Sequence, residues 1–141
     1  MKNIFLPVIA IIIAVSLCSC DDSIQSGLSK QLKDADKVKV YFFEEGENAV
    51  RDSNMIITIE NRDEVNKIIA SIADESSEQY KCGYSGYMEI LSKSKNILNL
   101  EFNLNEECAH YVFRFKTQIY FKKMTEEGQA LLKGYKNKVK K

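Results

Sequence analysis

Histidine is almost missing from this chain. His110 is the only one, which excludes metal centres built on several imidazoles and leaves little for acid–base chemistry of the histidine type. Tryptophan is absent, and the one proline, Pro7, lies close to the start, so no proline ring breaks or locks the chain beyond it. Charge of either sign is not in excess, with 20 Lys and Arg against 20 Asp and Glu. Without a basic field, nucleic acid is not expected as a partner. The sequence contains no G-x-S-x-G, no phosphate-cradling glycine loop ending in Lys-Ser or Lys-Thr, and no H-E-x-x-H. The chain therefore reads as a non-enzyme, with no cofactor and no resident metal.

What is present begins with an apolar run. After Met1, Lys2 and Asn3 the chain is uninterruptedly apolar from Ile4 to Val15, and then reads SLCSCDD over residues 16–22. A charged start and a short apolar core describe a secretory signal. Even extended to Cys20, the run only touches the lower limit for a membrane-spanning helix. Leu17-Cys18-Ser19-Cys20 resembles the lipobox of bacterial lipoproteins, in which an aliphatic residue, a tolerant position and a small residue precede the cysteine that is lipidated. The resemblance implies cleavage before Cys20, with 1–19 as the signal peptide. Cys20 is then the mature N-terminus, its thiolate being the nucleophile that takes a diacylglyceryl group. One acyl chain anchors only marginally, but two or three hold a protein on the bilayer in practice permanently. The implied location is the extracytoplasmic side of the bacterial envelope. Asp21 resembles the signal for inner-membrane retention in enterobacterial lipoproteins, whereas acidic residues at this position accompany surface export in other lineages, so the leaflet stays open.

Residues 20–36 are polar and poor in aromatics, and are expected to be a tether between lipid and domain. A single domain is expected over 37–135, followed by a basic tail, 136–141. Within the domain, Val38, Val40 and Phe42 alternate with Lys37, Lys39 and Tyr41, the period of a strand with one buried face. MIITIE, residues 55–60, supplies a second strand and completes a hairpin. Asn61 followed by Glu64 fits a capping box. Val65, Ile68, Ile69 and Ile72 then recur at helical spacing and predict a helix over 62–74. Three more strands, 87–91, 97–104 and 110–115, form a meander, with Leu98, Leu100, Phe102 and Leu104 facing one way and Asn99, Glu101 and Asn103 the other. QIYF, 118–121, is a short last strand or an extension. Thr125 caps a closing helix with Leu131, Leu132 and Tyr135 inward. The expected fold is α+β, an antiparallel sheet of about five strands with helices on one face.

With Cys18 removed and Cys20 lipidated, Cys82 and Cys108 remain, and an oxidising compartment favours a disulfide between them. In an up-down-up meander both lie at one end of the sheet, within reach of each other. A zinc site from Cys82, Cys108 and His110 lacks a fourth ligand, and Glu89 with Glu101 reads as solvated strand residues rather than as an acid–base dyad. The stretch YKCGYSGY, 80–87, interleaves Tyr80, Tyr84 and Tyr87 with glycines beside the disulfide. Tyrosine there offers large contact area at low entropic cost, the trait of a recognition loop. The function expected is binding of another envelope macromolecule, as an inhibitor, immunity factor or accessory subunit. The alternative is a small-ligand carrier or sensor whose pocket between sheet and helices is lined by Phe102, Phe113 and Tyr120.

Overall fold

The alternation in the sequence becomes a sheet with two unlike faces. The computed structural model describes residues 22–44, 55–78 and 82–139, so residues 1–19, expected to be a signal peptide, and Cys20, Asp21 and Tyr80 lie outside the described residues. Strands β1 (Lys37–Phe42), β2 (Ile56–Ile59), β3 (Ile72–Ser76), β4 (Gly86–Ser92), β5 (Lys95–Asn103), β6 (His110–Phe115) and β7 (Gln118–Met124) form one antiparallel sheet in the order β2-β1-β4-β5-β6-β7-β3. Helices α1 (Asp22–Leu32), α2 (Arg62–Ala70) and α3 (Glu126–Val139) complete the domain. The class is α+β, as expected, with seven strands rather than about five.

Register decides which side chains meet. Val40 pairs with Met88, Met88 with Leu100, and Leu100 with Phe113, giving one apolar row across four strands. Leu28 and Leu32 of α1, Val65 and Ile68 of α2, and Leu132 and Tyr135 of α3 pack with this face in one continuous core. At about 1.5–3 kcal/mol for each large apolar side chain withdrawn from water, this layer is the main source of stability. In the adjoining row Phe42 and Phe102 meet edge to face, centroids 5.8 Å apart. Gly86 lies between them in the register. A Cβ on Gly86 would stand 2.1 Å from the Tyr41 carbonyl oxygen and 2.7 Å from the Phe102 ring, so only glycine fits.

Several expectations are corrected. The predicted helix over 62–74 stops at Ala70, and Ile72 opens β3 instead. The reason lies at Ser71, whose backbone N–H closes the helix on Lys67 and Ile68 and whose hydroxyl donates to the Ile68 carbonyl at 2.5 Å. With its proton committed there, the Ser71 oxygen accepts from the Tyr111 hydroxyl at 2.6 Å. Ser71 also receives α3: its carbonyl accepts from the Thr125 amide at 3.0 Å, and Gly128 approaches so closely that a Cβ would lie 2.2 Å from that of Ser71. The expected tether, 20–36, contains α1, which the core holds through Leu28 and Leu32. The expected basic tail contributes the last residues of α3, which runs to Val139. QIYF is part of a full strand, β7. Asn61 caps α2 as expected, its side-chain oxygen accepting from the Asp63 and Glu64 amides.

Two outcomes follow for stability. Gly86→Ala should cost about 2 kcal/mol or more, from backbone overlap that no rotamer relieves, and denaturant unfolding would measure it. Burial pushes Tyr111 well above the ordinary tyrosine range. The folded state thus holds that proton more tightly than the unfolded chain does. Stability is therefore full below about pH 10, where an unfolded tyrosine starts to ionise, and declines as the pH rises above it. Tyr111→Phe is expected to lose about 1 kcal/mol at neutral pH, from the broken hydroxyl pair, and to show a shallower alkaline decline. Urea midpoints of both proteins at neutral and alkaline pH test the pair of effects.

Candidate functional site

Among the described residues no helix covers the opposite face of the sheet, and its side chains form ordered rows. In the central row Tyr41 pairs with Tyr87, Tyr87 with Glu101, Glu101 with Val112, and Val112 with Phe121. Beside it Lys39 pairs with Glu89, Glu89 with Asn99, and Arg114 with Ile119. The Tyr41 and Tyr87 rings are stacked, centroids 4.3 Å apart and planes 7° from parallel. Phe43 extends this aromatic cluster, 6.1 Å from Tyr87.

The carboxylates on this face lie beside tyrosine hydroxyls. Tyr41 donates to Glu89 Oε2 at 3.2 Å, and Glu101 is the carboxylate that acts on Tyr84. Partial burial is the largest cause raising Tyr41, Tyr84 and Tyr87 above the ordinary tyrosine value, with the neighbouring carboxylates adding to it. All three rings are thus neutral hydrogen-bond donors throughout the physiological range. Glu89 and Glu101, on neighbouring strands and paired with Asn99 and Tyr87, both line a groove of about 430 Å³. Tyr87 and Glu89 bound one side of it, Arg114 and Ile119 the other, with Val112 between. Ile119 is 52 % exposed, the one large apolar side chain so open among the described residues. Arg114 has no hydrogen bond or ion pair among the described residues. Chemically the groove offers a guanidinium with no partner among the described residues, an apolar floor, an aromatic wall and two carboxylates.

At one end of this face the expected disulfide joins Cys82 to Cys108, their Cα atoms 6.5 Å apart. Asn103, expected on the solvated side of β5, is buried instead and serves this loop. Its amide donates to the Cys82 and Gly83 carbonyls at 3.1 and 2.8 Å. Its oxygen accepts from the Asn105 amide at 2.7 Å. Ser85 Oγ accepts from the Leu104 amide at 2.9 Å, and Gly83 takes a φ of 67°, open to glycine at no steric cost. His110 is buried, its Nδ1 donating to the Cys108 carbonyl at 2.5 Å. Because a carbonyl can only accept, that ring nitrogen carries a proton. Tyr84 stands 6.3 Å from the His110 ring.

Of the recognition loop expected at Tyr80, Tyr84 and Tyr87, the fold brings Tyr84 and Tyr87 to one region of the open face, and Tyr80 lies outside the described residues. Phe102 and Phe113, expected to line a ligand pocket, are core side chains, and Tyr120 packs its ring 5.8 Å from that of Phe113 and 6.5 Å from that of Phe115. Cys82 and Cys108, bonded to each other, present no thiolate to a metal. Sequence reasoning missed Tyr41, Arg114, Ile119 and Asn103. The only signal for the last was its place two residues before Asn105, where an Asx turn forms readily. No family model, curated protein or solved structure matches this chain.

The disulfide closes a loop spanning a sequence separation of 26. Removing it by reduction or by Cys82→Ala/Cys108→Ala should cost about 3 kcal/mol in the chain-entropy account. Hydrogen exchange is expected to rise first at residues 82–85 while the centre of β5 stays protected, since the loop hangs from Asn103 and the strand does not.

Proposed function

We propose that this chain is a lipid-anchored protein of the bacterial cell envelope that acts by binding another envelope protein through the open face of its sheet, in an inhibitory, immunity or accessory role. The observation that carries the reading is the pairing of Arg114, a guanidinium with no partner among the described residues, with the exposed Ile119 on the rim of a groove walled by Tyr87. Arginine and tyrosine are the side chains that most often supply the large contributions at protein interfaces. Stacking against Tyr41 holds Tyr87 in place before any partner arrives, which lowers the entropy cost of ordering it on binding. The carboxylates Glu89, hydrogen-bonded by Tyr41, and Glu101 sit beside these anchors and add direction and selectivity more than affinity. The lipobox-like segment ending at Cys20 supports the envelope location, because lipidation there would keep the domain at the membrane where such a partner resides.

The test is cross-linking of the full acylated chain in its native membrane, followed by recovery and identification of bound proteins. The double variant Tyr87→Ala/Arg114→Glu should lose a specific partner by tenfold or more, on the order of the 1.4 kcal/mol per decade that one anchor supplies. Asn137→Asp, on the far helix α3, should keep it. Recovery of the same proteins in equal amount with all three chains would overturn the reading.

A further inference from the structure

Helix α1 lies across one end of the sheet. Its Gly27 faces the Phe115 ring at the end of β6, with 3.3 Å from a Cβ built there to the ring. One turn later the Gln31 amide donates to the Ile97 carbonyl of β5. Beyond the helix, the Asp36 amide bonds the Leu91 carbonyl at 3.0 Å, and the Asp36 carboxylate accepts from the Lys93 amide at 2.9 Å. The same end therefore holds α1 and both tight turns, β4 to β5 at Lys93-Ser94 and β6 to β7 at Lys116-Thr117.

This end is basic where it projects furthest. Lys93 and Lys116 stand on the two turns and Lys95 opens β5 beside the first of them, while Lys30 lies on the exposed side of α1 and Lys33 just after it. Lys93, Lys95 and Lys116 have no ion pair among the described residues, Lys116 only resting on the Phe115 ring. Of the acids at this end, Asp36 accepts from the Lys93 amide and Glu60 pairs with Lys37 at 2.7 Å, while Asp34 is exposed beside Lys33. The turn backbones are unusual as well. Lys93, Ser94 and Lys116 have φ of 49°, 64° and 55°, the only non-glycine residues at positive φ among those described. Glycine or asparagine would relieve that conformation, so at both tips a cationic side chain is held against a backbone preference.

We infer that this end of the domain, led by Lys93, Lys95 and Lys116, sits on the anionic phospholipid headgroups of the bilayer that holds the anchor. The inference rests on the reading of Cys20 as the acylated residue. One residue, Asp21, separates Cys20 from the start of α1, which is itself packed into the core through Leu28 and Leu32. That leaves no tether long enough to lift the domain away, and the surface beside α1 is the one brought to the lipid. Basic residues near an anionic leaflet are each attracted to it, and the attraction falls off within a Debye length. The lysines at this end meet that requirement by their projection. The disulfide and Tyr84, at the opposite end of the strands, are then directed away from the membrane.

The full chain extracted from its native membrane is reconstituted into phosphatidylcholine vesicles with and without phosphatidylglycerol, and lysine reactivity toward a water-soluble amine reagent is read residue by residue by mass spectrometry. Labelling of Lys93, Lys95 and Lys116 should slow about fivefold in the anionic vesicles, the factor matching roughly 1 kcal/mol per basic residue at such a surface. Lys123 and Lys133, remote from this end, should label equally in both. In the variant Lys93→Asn/Lys95→Gln/Lys116→Asn, labelling of Lys30 and Lys33 should lose its dependence on lipid charge. Asparagine tolerates positive φ, so loss of folding does not explain that result. Equal labelling of the three lysines in both vesicles, or slowing that is as large at Lys123 and Lys133, would overturn the inference. The mass of the N-terminal peptide separates the two premises: an acylated Cys20 with unprotected turns defeats the seating alone, while an unmodified Cys20 with protected turns defeats the anchor and leaves the seating standing.

Discussion

A strand has two faces, and this chain carries enough apolar residues to bury one of them. Everything else in the structure is arranged around that limit. Val38, Val40 and Phe42, Met88 and Ile90, and Leu98, Leu100 and Phe102 all point to the side where α1, α2 and α3 pack. The helices must share that side, because each has a single apolar stripe with nowhere else to place it. Among the described residues the other face stays open, yet it is not simply hydrophilic: stacked tyrosines, an exposed isoleucine and an arginine without a partner there occupy it. A face that is open through lack of a covering layer and still furnished with aromatic and apolar groups is suited to a partner surface.

Polar contacts, few in number, place the elements relative to one another. Ser71 links the end of α2, the middle of the sheet at Tyr111 and the start of α3 within one residue. Asn103 does the same for the disulfide loop. Hydrophobic burial is non-directional and would tolerate sliding of these elements. Buried hydrogen bonds do not tolerate it, since each broken one leaves a desolvated group without a partner. The outcome is a domain with two distinct ends: lysine-bearing turns and α1 at one, the disulfide, Tyr84 and His110 at the other. The open face runs between them, so a partner bound there would meet the domain from the side relative to a membrane at the α1 end.

Much of the fold is legible in the sequence because strand periodicity is short and strict. The hairpin and the meander each show apolar alternation over several residues, and turn residues bound them. Two elements were not legible. In α1 the sequence places Ile24, Leu28 and Leu32 four residues apart, but the polar residues around them dominate the composition. In β3 the sequence IADES has one apolar residue with carboxylates after it, and Ile72 falls in phase with the α2 stripe. What makes it a strand is an edge to pair with on β7, which no local pattern reveals. For the site, the tyrosines beside glycine and cysteine in 80–87 stand out by composition, and the structure places Tyr84 and Tyr87 on the open face. Arg114 and Ile119 do not stand out, being ordinary neighbours in strands until the register sets them side by side.

The sequence by itself determined the fold class, the faces of most strands and the pairing of Cys82 with Cys108, because each depends on alternation or on topology that short turns impose. Its lipobox-like segment also carries the proposal of an anchor, as a matter of local chemistry. Only the tertiary structure decided which residues share the open groove, which polar side chains are buried and which end of the sheet the N-terminal helix covers. Those facts join residues far apart in the chain through strand register and helix docking, and such contacts leave no periodic trace along a single sequence.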